Sequence, residues 1–160
     1  MPWPTARSIG LFLLLCPLAT NASPPSPRKA ANDVEQVTVS GTVVSLKSEL
    51  KSKGIAFDAE PIAGQVVLKG DDGSITPLIS DDASRALFQD ERLQRRHAEI
   101  HGLRHPGVPY LQVLSFKIED EGRLRTPEYY CEICTISVRF PQICPCCQGP
   151  MVLRMMPEAR

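Results

Sequence analysis

The chain has no excess charge of either sign: 18 lysines and arginines stand against 18 aspartates and glutamates, for a formal net charge of zero over 160 residues. No long-range field steers it toward nucleic acid or an anionic membrane. Aromatic residues are scarce, at 6%, which limits the chain to a modest core. Long apolar runs are missing too. The most apolar stretch, residues 9 to 18, has about half the length that a bilayer crossing needs, so no permanent helical anchor is expected. Neither an HExxH pair, nor a serine-nucleophile pattern, nor a glycine-rich phosphate loop occurs, and no catalytic constellation emerges, so an enzyme is not expected. At this length one ordinary domain fits, with room for a short appendage, while two large domains do not.

What is present begins with a leader. Residues 1 to 22 have the layout of a signal peptide, with Arg7 ahead of the apolar run and small residues behind it, and cleavage is expected after Ala22. Cys16 follows leucines where lipid attachment would want a small residue, so it is expected to leave with the leader. The mature protein is therefore expected outside the inner membrane, periplasmic or extracellular. Residues 23 to 34 are proline-rich and polar, with nothing to bury, and are expected to form a flexible linker.

Beyond the linker, Val37, Val39, Gly41 and Val43 alternate with Thr38, Ser40 and Thr42, the period-two pattern of a strand with one face in a core. Val44 and Leu46 fall on the opposite parity, which a bulge near Gly41 would reconcile. Residues 47 to 64 read as a mostly polar connection. Two short apolar runs, 65 to 69 and 74 to 79, flank Gly70-Asp71-Asp72-Gly73 and predict a hairpin. Ser80, Asp81 and Asp82 are candidate caps for the one helix, carried by Ala83, Ala86 and Leu87. A second hairpin is predicted from Ala98, Ile100 and Gly102, then Leu114, Phe116 and Ile118, around His105, Pro106 and Gly107.

The fold class is thus mostly β with one helix, an α+β chain in the order strand, hairpin, helix, hairpin. On VTVSGTVVSL at 37 to 46 and PYLQVLSFKIEDEGRL at 109 to 124, residues 35 to 126 resemble an OB-fold domain of exported bacterial proteins. The resemblance implies a five-stranded OB-like barrel. OB folds often serve as recognition platforms, which is an argument from fold analogy.

The chemistry lies nearer the C-terminus, where residues 129 to 151 read YYCEICTISVRFPQICPCCQGPM. Cys131 and Cys134 form one CxxC pair and Cys144 and Cys147 a second, with nine residues between the pairs. A two-residue gap lets both thiolates of a tight turn face one ion, and two such turns complete the tetrahedral set that zinc prefers. Ile136 and Val138 predict a short strand between them. The segment 127 to 155 resembles a zinc ribbon and, more narrowly, the rubredoxin-like tail of rubrerythrins, through its CxxC, its CPxC and Gly149-Pro150-Met151. That family usually has glycine directly after each second cysteine. Here Thr135 and Gln148 stand there, and the spacer is shorter, so iron redox chemistry does not carry over and one structural zinc is the favoured cofactor.

Two rivals remain open at this level: iron, and pairing of the thiols as disulfides, which an oxidising compartment would favour. Against disulfides, the mature chain holds an odd set of five cysteines, and bridging across a two-residue gap removes little chain entropy. Cys146 is the spare thiol, able to replace Cys144 or Cys147 as a ligand, with a simple buried thiol favoured. A ribbon this small needs a staple, and zinc contributes on the order of 10 kcal/mol to such motifs.

The weaker signals are discounted. His97, His101 and His105 recur every four residues and form an alternative metal site only on a helix, whereas their neighbours predict a strand with His97 and His101 on its solvent face and His105 in a loop. The acidic pairs Asp71-Asp72 and Asp81-Asp82 suit turns and caps. Arg92, Arg95, Arg96 and Arg104 are interleaved with Glu91 and Glu99, the pattern of a solvated face. The leading expectation is an exported, non-enzymatic binding or assembly module whose partner is another macromolecule. The alternatives are a redox protein working through iron or dithiols, and single-stranded nucleic-acid binding by the OB face, which the neutral charge disfavours.

Overall fold

A computed structural model describes residues 33 to 157. The leader and all but the last two residues of the linker lie outside them. The elements in chain order are β1 (Glu35–Ser45), α1 (Leu46–Ser52), β2 (Val66–Lys69), β3 (Ile75–Pro77), α2 (Arg85–Gln89), a 3-10 turn (Glu91–Leu93), β4 (His97–Arg104), β5 (Leu111–Asp120), β6 (Arg123–Cys131), β7 (Ile136–Val138) and β8 (Val152–Met156). The strands hydrogen-bond in the order β3-β2-β1-β4-β5-β6-β7, with β8 on β6, and every pairing between named strands is antiparallel. The fold is mostly β, as its alternating valines, isoleucines and leucines predict. Among the described residues no helix is long and apolar enough to cross a membrane.

β1 is the longest strand and has two partners. Its register with β4 runs without a break from Glu35 opposite Arg104 to Thr42 opposite His97, and its end pairs with β2 from Thr42 opposite Lys69 to Ser45 opposite Val66. The bulge expected near Gly41 is therefore absent. The glycine answers a different need: a Cβ there would lie 2.4 Å from the Lys69 carbonyl oxygen, so the two backbones can meet only because the side chain is missing. The register shift in this sheet falls instead between His101 and Gly102, against β5.

The polar connection expected over 47 to 64 is in part helical, since α1 opens directly at the end of β1. Ser45 caps it, its hydroxyl accepting from the Ser48 N–H at 3.2 Å, and Glu49 is buried on it with Lys69 Nζ 3.1 Å away. Only Leu46 and Leu50 supply apolar spacing there, too little for a periodic signal. The two predicted hairpins are present. In the first, Lys69 faces Ile75 across the 70 to 73 turn, where Gly73 holds a φ of +80°; in the second, β4 pairs with β5 from Ala98 opposite Ile118. α2 follows, and the cap is not quite as expected: Asp81 accepts from the N–H groups of Ala83 and Ser84 ahead of the helix.

One core joins these pieces. Val43, Leu68, Leu78, Leu87, Leu93, Ile100, Val113 and Ile118 are buried in it, so the inner faces of the strands close on α2 and the turn after it. Leu78, just past β3, makes an isolated parallel bridge to Leu111 at the start of β5. β6 then leaves this sheet for another. It pairs with β5 only from Arg123 to Arg125, then with β8 from Thr126 to Tyr130 and with β7 from Tyr129 to Cys131. Pro127, which weakens any strand reading of the sequence, stands just past the last β5 partner, where that ladder has ended. Pro127, Tyr129 and Cys131 are the buried positions of β6. Val138, Phe140, Met151, Leu153 and Met155 pack against the same core, so the cysteine-bearing segment has no separate interior.

Replacing Gly41 by alanine forces β1 and β2 apart and is expected to cost about 3 kcal/mol. Gly64→Ala, where nothing lies within 4 Å of the added carbon, is the matched control and should leave the urea midpoint within experimental error.

Candidate metal centre

Two tight turns carry the sulfurs. The first starts at the last residue of β6: the Thr135 N–H donates to the Cys131 carbonyl at 2.8 Å, and the Cys134 N–H points at the Cys131 sulfur at 3.4 Å. The second repeats the design, with the Gln148 N–H donating to the Cys144 carbonyl at 2.9 Å and the N–H groups of Cys147 and Cys146 directed at the Cys144 sulfur. Cys144 N–H closes the turn on the Gly149 carbonyl at 2.9 Å. Thr135 and Gln148 both take left-handed backbone, at φ of 55° and 57°. These are the positions where the resembled family has glycine, so the chain keeps the turn geometry and accepts its strain.

The Sγ atoms of Cys131, Cys134, Cys144 and Cys147 all lie within 4.8 Å of one another. A tetrahedral zinc with sulfurs at about 2.3 Å spaces them about 3.8 Å apart, so this donor set fits a metal ion. The Cys131 and Cys147 sulfurs are 3.5 Å apart. All five described cysteines are free thiols. Cys131 and Cys144 are buried, Cys134 is half-buried and Cys147 lies toward solvent, so the cluster is closed on one side and open on the other.

Without an ion the sulfurs compete for protons. Cys144 is drawn down to about 6, first by the N–H of Cys147 and, against burial, by that of Cys146 and the thiols of Cys131 and Cys147. Cys134 is pushed far up, first by the thiol of Cys146 and then by Cys147 and burial. Cys131 is raised: the N–H of Cys134 opposes the rise, and burial with the thiols of Cys144 and Cys147 outweighs it. The turn N–H groups thus favour a thiolate at Cys144 while burial and the neighbouring thiols disfavour one at Cys131 and Cys134, a conflict that a divalent cation would offset.

The other candidates are scattered. His97 and His101 lie on β4, alternating with buried Ala98, Ile100 and Gly102, and His105 follows the strand. His101 Nδ1 meets Thr38 Oγ1 at 2.9 Å and His105 Nε2 meets Gln112 Oε1 at 2.7 Å, and the three do not gather. Cys146 is exposed rather than buried.

Sequence reasoning overlooked a second polar feature behind the cluster. Tyr129, two residues before Cys131 and fully enclosed, donates from its hydroxyl to Asp90 Oδ2 at 2.6 Å. Asp90 also caps the 3-10 turn by accepting from the Arg92 N–H at 3.0 Å, and the Arg92 guanidinium grips both its oxygens. This ties the cysteine-bearing strand to the turn between α2 and β4. Had β6 been read as a strand, its alternation would have put Tyr129 inward with Cys131; nothing local marks Asp90 as its partner. Comparison with protein-family profiles, with curated proteins and with solved structures finds no match to this chain.

Arg92 above all, against burial, with Tyr129 adding to it, draws the Asp90 carboxyl from 3.8 down to about 2. A carboxylate lowered on folding stabilises fully above its unfolded value, and that contribution is lost as pH falls from about 4 toward about 2. Tyr129→Phe should cost about 1 to 2 kcal/mol at neutral pH. In Asp90→Asn the acid limb of the urea midpoint, followed by circular dichroism, should shrink. At the knuckles, Thr135→Gly combined with Gln148→Gly relieves left-handed strain and should tighten metal retention about tenfold against a competing chelator.

Proposed function

We propose that this is an exported, non-enzymatic binding or assembly module in which an OB-like five-stranded barrel is extended by a zinc ribbon. Cys131, Cys134, Cys144 and Cys147 would be the ligands of one structural zinc. The observation that carries the reading is the convergence of those four sulfurs within 4.8 Å. Four thiolates fill the tetrahedron and leave no position for water or substrate, so the ion shapes the chain and activates nothing. The trimmed spacer between the pairs favours zinc over a rubredoxin-like iron.

The barrel half of the proposal draws support from the pairing cycle. β1 bonds to β2 and β4, β3 follows β2, β5 follows β4, and the Leu78 to Leu111 bridge joins the two remaining edges in parallel. α2 lies between β3 and β4 in the chain. That cycle with that insertion is what an OB barrel requires. Support for recognition of another macromolecule comes from Ile133 and Ile143, 79% and 66% exposed on the two cysteine-bearing segments. Apolar groups held in solvent by a rigid centre are suited to a partner's surface.

Metal analysis of the purified mature chain should find one zinc per molecule and no visible absorption of the kind a ferric tetrathiolate gives. Cys131→Ser should lose the metal. Chelation should disorder the two knuckles while the core of β1 to β5 keeps its unfolding midpoint. A Cys131→Ser protein that holds its metal and its shape would overturn the ligand assignment.

A further inference from the structure

β6 is bare along part of one edge. The turn at Glu121 and Gly122, both left-handed, makes Asp120 and Arg123 a hydrogen-bonded pair, and the same alternation makes Ile118 and Arg125 the next. Phe116 and Pro127 follow in that register, and a proline has no N–H to give, so the Phe116 carbonyl receives nothing from β6. β7 joins the strand only at Tyr129, opposite Val138. A notch of about 120 Å³ opens between the two ladders, with Phe116 and Pro127 in its wall. Leu114 lines it and is 41% exposed, because the register shift at His101 and Gly102 leaves it without a partner on β4. Arg139 lines it as well. Arg85 is engaged by Asp82 and Phe140, and Arg154 by Glu132 and Tyr130, whereas no acidic side chain or ring among the described residues engages Arg139.

An apolar wall, a carbonyl without a strand donor and an unpaired cation thus converge on one small hole. The last residue of a polypeptide carries the three complements: an aliphatic side chain, an amide N–H and a carboxylate. A free fatty acid lacks the N–H. We propose that the notch between β5 and β7 is a binding site for the carboxyl end of an extended peptide whose last residue is leucine or valine. Its side chain lies against Leu114, Phe116 and Pro127, its amide donates to the Phe116 carbonyl, and its carboxylate pairs with Arg139. A hole of about 120 Å³ is smaller than the roughly 150 Å³ that holds a benzene ring, so an aromatic last residue is excluded. The site names a partner for the binding module proposed above and uses no part of the metal centre.

The test is a titration of the full mature chain, loaded with zinc, with acetyl-Gly-Gly-Leu, followed by the amide NMR shifts of Leu114, Phe116 and Arg139. The peptide should bind. Its C-terminal amide form, and the variant Arg139→Gln, should each weaken binding about tenfold, and N-methylation of the last amide about fivefold. Arg104→Gln, on β4 outside the notch, should leave the affinity unchanged. A peptide ending in phenylalanine should bind more weakly, as should 4-methylpentanoate, which keeps the aliphatic group and the carboxylate but has no N–H. No shifts at about 5 mM peptide, equal binding of the amide form, wild-type affinity in Arg139→Gln, or 4-methylpentanoate binding as well as the peptide would overturn the proposal. A chain that holds one zinc yet ignores the peptide loses this inference and keeps the metal reading, and one that binds the peptide without holding zinc does the reverse.

Discussion

β6 is one strand serving two sheets, and the rest of the molecule depends on its register. Its first three residues finish the sheet that begins at β1, and its last six carry β7, β8 and the first sulfur. Because side chains alternate along a strand, the choice that turns Tyr129 inward to Asp90 also turns Cys131 toward the other thiols. The cross-tie and the cluster are therefore set by a single geometric decision. The hairpin at Glu121 and Gly122, both left-handed, fixes that decision at its origin.

This arrangement changes what an ion has to do. An isolated ribbon of this size has too little apolar surface to fold, and its metal is its stability. Here Val138, Phe140, Met151, Leu153 and Met155 rest on a core that exists without them. Arg85 adds to the contact by lying over the Phe140 ring, and Arg154 over Tyr130 stiffens the β8 side. On the proposed reading an ion would be needed for the two knuckles alone, where Thr135 and Gln148 take left-handed backbone. The energetic demand on such an ion would be local.

Legibility in the sequence followed how much of each element's cause was local. The alternation at 37 to 43, the Gly70 to Gly73 turn and the two CxxC pairs are local signals, and each stands where it was expected. α1 was overlooked because its apolar face holds two leucines and its start depends on a serine cap. β6 was overlooked because Pro127 breaks the strand signature, while the ladder that the proline would have disturbed has already ended. Gly41 was assigned to a bulge because its reason lies across the sheet, at Lys69. Asp90 and Tyr129 are 39 residues apart in sequence, and no pattern in one chain couples such a pair. Cys146 was expected inside and lies in solvent, on the turn that Cys144 closes with Gln148 and Gly149.

The continuity of β6 also bears on inheritance. A boundary drawn at residue 126, where the composition changes, would cut a polypeptide that both parts share. The C-terminal piece would then lack the floor on which its methionines and Leu153 lie, and the N-terminal piece would expose the seam that Tyr129 closes. The two parts are consequently not interchangeable modules: a lineage that exchanged one for another would have to inherit the strand between them unaltered in length, down to the residue.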